Sequence, residues 1–354
     1  RLEFTMDSPV LQERLEALLQ VQAGTLQEAF TVVGQTEAEA REGLAVPASF
    51  LGRGEEGLAL SLDSTIASSL TEAVRFLSVY PYDCLEQRTS KLFAWLLYDW
   101  LLDDPAVVDR ELGELARYQS AEGGMSFWAE RLRPDYYVSL RTAHLLELAR
   151  GRGRVLPEGL DRERLLDYLR EQYAERRPYL QSYCLYVLSL AGADVSREAR
   201  ALLDSGEELG VTEWALLGLA LSRGGRRDAG APSAQSAKEA QGLLARIRDS
   251  LRVSTRSVSL SGPVPWYGYH GGELQAKALV LMLYQALEPR SQIAQALADD
   301  LLAASRKGYW GNTSETGWAL QAFAAWQESG GEADADFLAR VTLVEKELAA
   351  QSFR

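Results

Sequence analysis

Tyr80-Pro81-Tyr82-Asp83-Cys84-Leu85-Glu86-Gln87 stands just ahead of an apolar helical run, Leu92-Phe93-Ala94-Trp95-Leu96-Leu97, and holds one of the chain's two cysteines. Residues at i and i+3 share a helical face, so a helix starting here sets the Cys84 thiol beside the Gln87 carboxamide. With ammonia lost, the two can join as an internal thioester, a stored acyl electrophile. The same spacing also fits a buried cysteine beside a solvent-facing glutamine, and on spacing alone that plainer reading is favoured.

Downstream of this stretch the chain reads as nearly all helix to Gly330, in hairpin-like units whose Gly- and aromatic-rich turns feed apolar helices. Gly123-Gly124-Met125-Ser126-Phe127-Trp128 leads into Tyr137–Leu146, and Arg177-Pro178-Tyr179-Leu180 into Ser182–Leu188. Gly210-Val211-Thr212 opens a third unit, Pro265-Trp266-Tyr267-Gly268-Tyr269-His270-Gly271-Gly272 a fourth, and Gly308-Tyr309-Trp310-Gly311-Asn312-Thr313 the last. The helix starts are spaced by roughly 42, 32, 60 and 42 residues, a recurrence that means stacked helix pairs. The long interval contains Gly224–Gly242, which reads as a surface loop plus part of a helix. The repeated helices are apolar over wide faces, which suits an inner ring covered by an outer one. No polar cap is evident on the terminal repeats, so a closed α/α toroid of about six helical hairpins is favoured over an open solenoid.

Upstream, Ser8 and Pro9 with the stripe Leu11, Leu15, Leu18 and Leu19 predict a helix over 8–22. Phe30–Val33, Leu44–Pro47 and Leu58–Leu62 read as short strands. Asp63-Ser64-Thr65 offers N-cap chemistry for a helix over about 65–78. After Gly331, Phe337–Val344 is rich in β-branched residues, with Glu345-Lys346 as a turn into a second strand. A strand reading is preferred to a final amphipathic helix. The fold class is therefore mainly α, with a small β module formed by the terminal segments.

The net charge of −13 argues against nucleic acid and anionic membrane surfaces as partners. No run approaches the ~18 apolar residues of a membrane span. The start, Arg1–Asp7, lacks signal-peptide organisation, which says little of a chain cut from a longer one. Two cysteines and two histidines, far apart, give no metal cluster and no disulfide framework, although a single Cys84–Cys184 bridge is formally open.

The octapeptide closely resembles the thioester segment of bacterial α2-macroglobulins, where Tyr-Pro-Tyr-Gly precedes Cys-Leu-Glu-Gln; here Asp83 stands where that pattern has glycine. Tyr118-Gln119 through Trp128 is similar to that family's Gln…Gly-Gly-Phe-Ser-x-Trp segment, and Gly308-Tyr309-Trp310 through Ala322 to its closing unit. The resemblance implies a thioester domain, itself an α/α toroid, inserted between the halves of a small β domain. Residues 1–62 would hold an N-terminal helix and the first half, 63–330 the toroid, and 331–354 the second half.

By the same resemblance, Cys84 Sγ is acylated by the Gln87 side-chain carbonyl, and an amine or hydroxyl of a captured protein displaces the sulfur. Such a chain is a single-turnover covalent trap, an endopeptidase inhibitor in bacterial defence rather than an enzyme, and needs neither cofactor nor metal. Its partners would be attacking proteases or other captured proteins, together with the remaining domains of the parent chain, at the periplasm or cell surface. Tyr80, Pro81, Tyr82, Asp83, Leu85 and Glu86 complete the motif and its shielding, with Glu86 favoured by the dipole at a helix N-terminus. Trp128, Trp266, Tyr267, Tyr269, Tyr309 and Trp310 are candidate lining residues, although plain core or loop packing is the favoured role for each. Some complement relatives pass the acyl group through a histidine. Of the two here, His270 lies in a turn and His144 inside an apolar helix, where a core role is expected. Without such a histidine, lysine amines should outcompete hydroxyls. The alternatives are an α/α-toroid enzyme of the terpenoid-cyclase type, whose Gln…Gly…Trp repeat Gln119…Gly124…Trp128 fits loosely but whose acid-rich motif Asp99, Asp103 and Asp104 do not supply, and an unreactive scaffold.

Overall fold

Helices that are apolar on nearly every face have to be surrounded, and five of those here are. Tyr136–Gly151, Pro178–Leu190, Val211–Ser222, Glu273–Leu287 and Thr313–Glu328 bury almost their whole length. The computed structural model describes residues 2–7, 12–17, 66–129, 133–223, 232–254, 257–261, 271–306, 308–330, 337–343 and 346–353. It holds twelve α-helices among the described residues: α1 Ala67–Ser78, α2 Leu85–Leu97, α3 Val107–Gly113, α4 Tyr136–Gly151, α5 Arg162–Gln172, α6 Pro178–Leu190, α7 Ser196–Leu203, α8 Val211–Ser222, α9 Ala234–Ser250, α10 Glu273–Leu287, α11 Gln292–Ala304 and α12 Thr313–Glu328.

The even-numbered helices pack in sequence from α2 round to α12, and α12 packs back on α2. That closes an inner ring of six. The odd-numbered helices each lie against one or two members of that ring, and they are amphipathic as an outer layer requires. In α5 the buried set is Leu165, Leu166, Tyr168 and Leu169; in α9 it is Ser236, Ala240, Leu243, Leu244 and Ile247. The toroid expected from the repeats is the observed fold, with inner helices beginning three to four residues before most of the expected starts.

The first turns of the inner helices gather at one end of the ring. Tyr137 Oη meets Ser314 Oγ at 3.1 Å, joining the starts of α4 and α12, and Gln275 Nε2 donates to Tyr179 Oη at 2.9 Å, joining those of α10 and α6. Side-chain caps fix several starts: Asp135 accepts from the Tyr137 and Val138 amides, and Asn312 from Glu315. The cap expected from Asp63–Thr65 lies outside the described residues. Helix α1 instead begins after Ile66, with no side-chain cap bond.

The strand segments are short antiparallel pairs. Residues 1–32 pack as a separate unit from 33–354. In the first unit β1 Leu2–Asp7 pairs with β2 Gln12–Ala17, Phe4 opposite Leu15. The helix expected over 8–22 is therefore corrected: its described part is a strand. The leucine stripe has helical spacing, but residues 2–7 supply a partner of matching length, and Arg14 reaches across to Glu3 at 2.8 Å. A hairpin of β3 Leu251–Val253 and β4 Val258–Leu260, not anticipated, fills part of the long interval before α10. Asp300 Oδ1 accepts from the Val258 amide at 3.1 Å, while its Oδ2 pairs with Lys277 Nζ at 2.7 Å. In the second unit β5 Phe337–Leu343 and β6 Lys346–Phe353 form the expected C-terminal pair. The strand-like runs of 30–62 lie outside the described residues. No helix among the described residues is long and apolar enough to cross a membrane.

Candidate functional site

Cys84 is the N-cap of α2, in extended backbone at φ −68°, ψ 164°, and Gln87 is the third residue of the helix. The Gln87 side chain curls back, and its Oε1 accepts from the Cys84 amide at 3.1 Å. In return the sulfur faces the free N–H groups of Gln87 and Glu86. This is a capping box in which cysteine and glutamine take the positions usually held by serine and glutamate. It brings thiol and carboxamide together at the rim of the ring, where Cys84 is half-buried. Burial is the main reason that the thiol pKa is raised; the Gln87 N–H opposes it, and the Glu86 and Asp83 charges add to it.

The neighbouring loop backs directly onto this turn: the Leu85 amide donates to Phe127 O at 3.0 Å. Trp128 follows, about half exposed, and Tyr82 is more exposed still. Tyr80 packs edge-on to Tyr82 and to Phe76, and Phe76 stacks on Tyr309 with ring centroids 3.8 Å apart. Tyr309 thus joins the aromatic row beside the motif, through a Phe76 that sequence reasoning passed over. Trp310 takes a packing role. It is fully buried against Phe323, and its indole N–H donates to Leu301 O at 2.6 Å. Trp266, Tyr267, Tyr269 and His270 lie outside the described residues.

Asp83 points its carboxylate along α2, pairing with Arg88 and, at 3.5 Å, with Lys91. Arg88 also pairs with Glu111 and lies over the Tyr118 ring. Glu86 turns the other way, into the ring: Oε1 accepts from Ser90 Oγ at 2.8 Å and Oε2 from Thr313 Oγ1 at 2.9 Å. The role expected for Glu86 at the helix N-terminus thus extends to a cross-link between the first turns of α2 and α12.

No family model matches the chain. Over 237 residues it is 26% identical to the α2-macroglobulin of Escherichia coli strain K12, a match covering 61% of this chain and 14% of that protein. The native E. coli α2-macroglobulin structure running from domain MG7 to the C-terminus superimposes with a TM-score of 0.58 at 20% identity, over 80% of this chain and 45% of that one. A Salmonella α2-macroglobulin mutant gives 0.57 at 19% identity over 80% and 19%. The E. coli protein activated by porcine elastase gives 0.54 at 19% identity over 79% and 26%. The chain is an α2-macroglobulin-like segment. It spans a small part of the length of the curated relative it matches.

In this α2-macroglobulin-like segment the features that suggested a cyclase have structural duties. Gln119 Nε2 donates to Gly123 O and Asp161 O, and its Oε1 accepts from the Asp161 amide at 2.7 Å, buckling the loop to the start of α5. Gly123 is required there: φ is +97°, and a Cβ would come within 2.5 Å of Arg164 O. Asp99 pairs with Arg154 and Asp104 with Arg110, beyond the far end of α2 from Cys84. The Arg110 bond lowers the Asp104 pKa, the wrong direction for a proton donor.

His144 is buried in an aromatic cluster of Phe93, Tyr183, Tyr186 and Trp318, with Nδ1 3.0 Å from Tyr183 Oη. Burial first, and then the Arg141 and Arg223 charges, hold its pKa well below the ordinary range. It is the core residue that its apolar helix implied. The two cysteines are not joined to each other, so the formally open Cys84–Cys184 bridge is not formed. Among the described residues no cluster of ligand side chains suits a metal ion.

Proposed function

We propose that Cys84 and Gln87 condense to an internal thioester and that the segment is the acylating part of a covalent protein trap of the α2-macroglobulin type. One observation carries this reading: Gln87 folds back onto the Cys84 amide at the N-terminus of α2. In forming the bond, Cys84 Sγ attacks the Gln87 side-chain carbonyl, the C–N bond breaks, and the amide nitrogen leaves as ammonia with the thiol proton. In use, an amine of a captured protein attacks the same carbonyl, giving an amide and a free Cys84 thiol. Sulfur is the leaving group in this second step.

The trap acts once per molecule and inhibits rather than catalyses. The likeness to the elastase-activated E. coli α2-macroglobulin supports attacking proteases as its targets, and a role in bacterial defence at a periplasmic or surface location follows the same resemblance. The toroid would be the insert between two halves of a β domain, with 331–354 as the second half. The exposed Tyr82 and Trp128, together with Tyr80 and Tyr309, would shield the bond from water when the remaining domains of the parent chain cover this rim. His144 is sealed in the core, and without a histidine to take the acyl group lysine amines would be the preferred nucleophiles.

Mass spectrometry of freshly prepared native protein tests the reading. An intact thioester makes the chain about 17 Da lighter than its sequence mass, and methylamine should then add at Gln87 and release one thiol. A full sequence mass and two titratable thiols before any amine treatment count against it.

A further inference from the structure

Among the buried charged residues of the ring interior that the trap chemistry leaves without a task, one lies next to the motif. Arg141 on α4 has no solvent exposure. Its guanidinium lies between the Phe93 ring of α2, at 4.6 Å, and the Trp318 ring of α12, at 5.3 Å. Burial works against its charge, but Tyr137, Tyr183, Glu86 and Tyr179 around it more than offset this, and its pKa is raised. Nη2 donates to Ser90 Oγ at 2.9 Å, while Nε and Nη1 have no hydrogen-bond acceptor among the described residues. Ser90 Oγ in turn donates to Glu86 Oε1. One hydroxyl therefore accepts from a buried cation and donates to a buried carboxylate. Glycine at 317 leaves room for this: a Cβ there would stand 3.3 Å from Arg141 Nη2 and 3.5 Å from Ser90 Oγ.

Stability alone gives little reason to keep such a pair, since apolar residues of equal volume commonly serve as well or better. What the pair specifies is the direction of Glu86. Glu86 is the second residue of α2, between Cys84 and Gln87, and with both oxygens engaged inside the ring it cannot swing out. Successive side chains point about 100° apart round a helix, so fixing Glu86 inward also fixes the direction of Gln87, the residue that follows it in α2.

We propose that Arg141 is a positioning residue for the Cys84–Gln87 turn, acting through Ser90 and Glu86. The inference rests on the thioester reading for its consequence, since a turn held in register is what ring closure between thiol and carboxamide needs.

The test uses the full chain after methylamine treatment, at a temperature well below unfolding, and follows alkylation of each cysteine by iodoacetamide. Arg141→Met and Glu86→Gln should each raise the Cys84 rate about tenfold, the scale set by losing one charged hydrogen bond, with Cys184 still protected. Arg141→Lys should restore most of the protection. The double variant should be no faster than either single, because both act through one chain of contacts. Ser90→Ala breaks the relay while leaving both Arg141 and Glu86 in the chain and should shift Cys84 in the same direction, which keeps the test available if Arg141→Met fails to fold. A wild-type Cys84 rate in Ser90→Ala, or effects that multiply in the double variant, overturns the proposal. The thioester reading fails separately, on a wild-type chain that shows no mass deficit, and the alkylation comparison stands in either case.

Discussion

Burial raises the pKa of both of the chain's cysteines, and both belong to inner-ring helices, yet the groups that face the two sulfurs differ. Cys84 caps a helix, faces unused backbone N–H groups and has a carboxamide folded over it. Cys184 lies inside α6, where the backbone N–H groups are already committed to the helix. Its Sγ is 3.8 Å from Leu169 O, no glutamine stands three residues on, and burial pushes its pKa up to about 12. In the proposed chemistry, then, it is place on the helix, and not membership of the ring, that sets one thiol beside a carboxamide.

The largest effect that tests this contrast is all-or-none. Cys84→Ala should abolish both the mass deficit and methylamine incorporation. Cys184→Ala should leave both intact and lower stability by about 1 kcal/mol or more, the usual cost of trimming a buried side chain. If Cys184→Ala removed the mass deficit, the assignment of the bond to the capping turn would be wrong. Next comes native-state labelling. After amine treatment, iodoacetamide should modify Cys84 at least about a hundredfold faster than Cys184, whose labelling has to wait for local opening of the ring. Mild denaturant should narrow the gap by accelerating Cys184 alone.

The same contrast explains what could be read in advance. The Cys84–Gln87 turn is local: spacing, an apolar run and a cap position lie within a dozen residues, and the structure places them as that spacing requires. The ring was legible because apolar helices recurring near forty residues have few ways to hide their faces. Three things were not legible. The β1–β2 hairpin depends on pairing between segments that each look helical or featureless alone. The β3–β4 hairpin is made of strands only three residues long, too short for a periodic signal. The contacts of Glu86 with Thr313, and of Ser90 with Arg141, join residues 227 and 51 positions apart. A lone arginine in the run Tyr137–Leu146 was the only local mark of the second.

A smaller effect contrasts the ring interior with its rim by titration. His144 stays neutral in the folded chain because burial and the nearby arginines oppose protonation. The unfolded chain takes up that proton near the ordinary histidine pKa of about 6.5. Between that value and the depressed folded pKa the unfolded state holds more protons, so stability should fall as pH is lowered from about 6.5 toward 5, by up to about 1.4 kcal/mol per pH unit. His144→Gln should flatten that slope. Denaturant midpoints measured at intervals across the window decide it, and a wild-type slope unchanged by the substitution would assign the effect to other groups.

The smallest effect concerns Asp83, the residue at which this turn departs from the glycine of the pattern it resembles. Its carboxylate is partly exposed and paired with Arg88 and Lys91, so Asp83→Asn should cost less than about 1 kcal/mol, as exposed ion pairs generally do. At Cys84 the consequence has a definite sign. The Asp83 charge is the weakest of the influences that raise the thiol pKa, so its removal should lower that pKa slightly. Alkylation of the amine-treated protein near neutral pH should then quicken, by about twofold, and the difference should shrink in high salt as screening weakens the interaction. Slower alkylation, or loss of the mass deficit, would show instead that the Asp83–Arg88 pair holds the turn in place. The aspartate would then do by ion pairing what a glycine at this position does by backbone freedom.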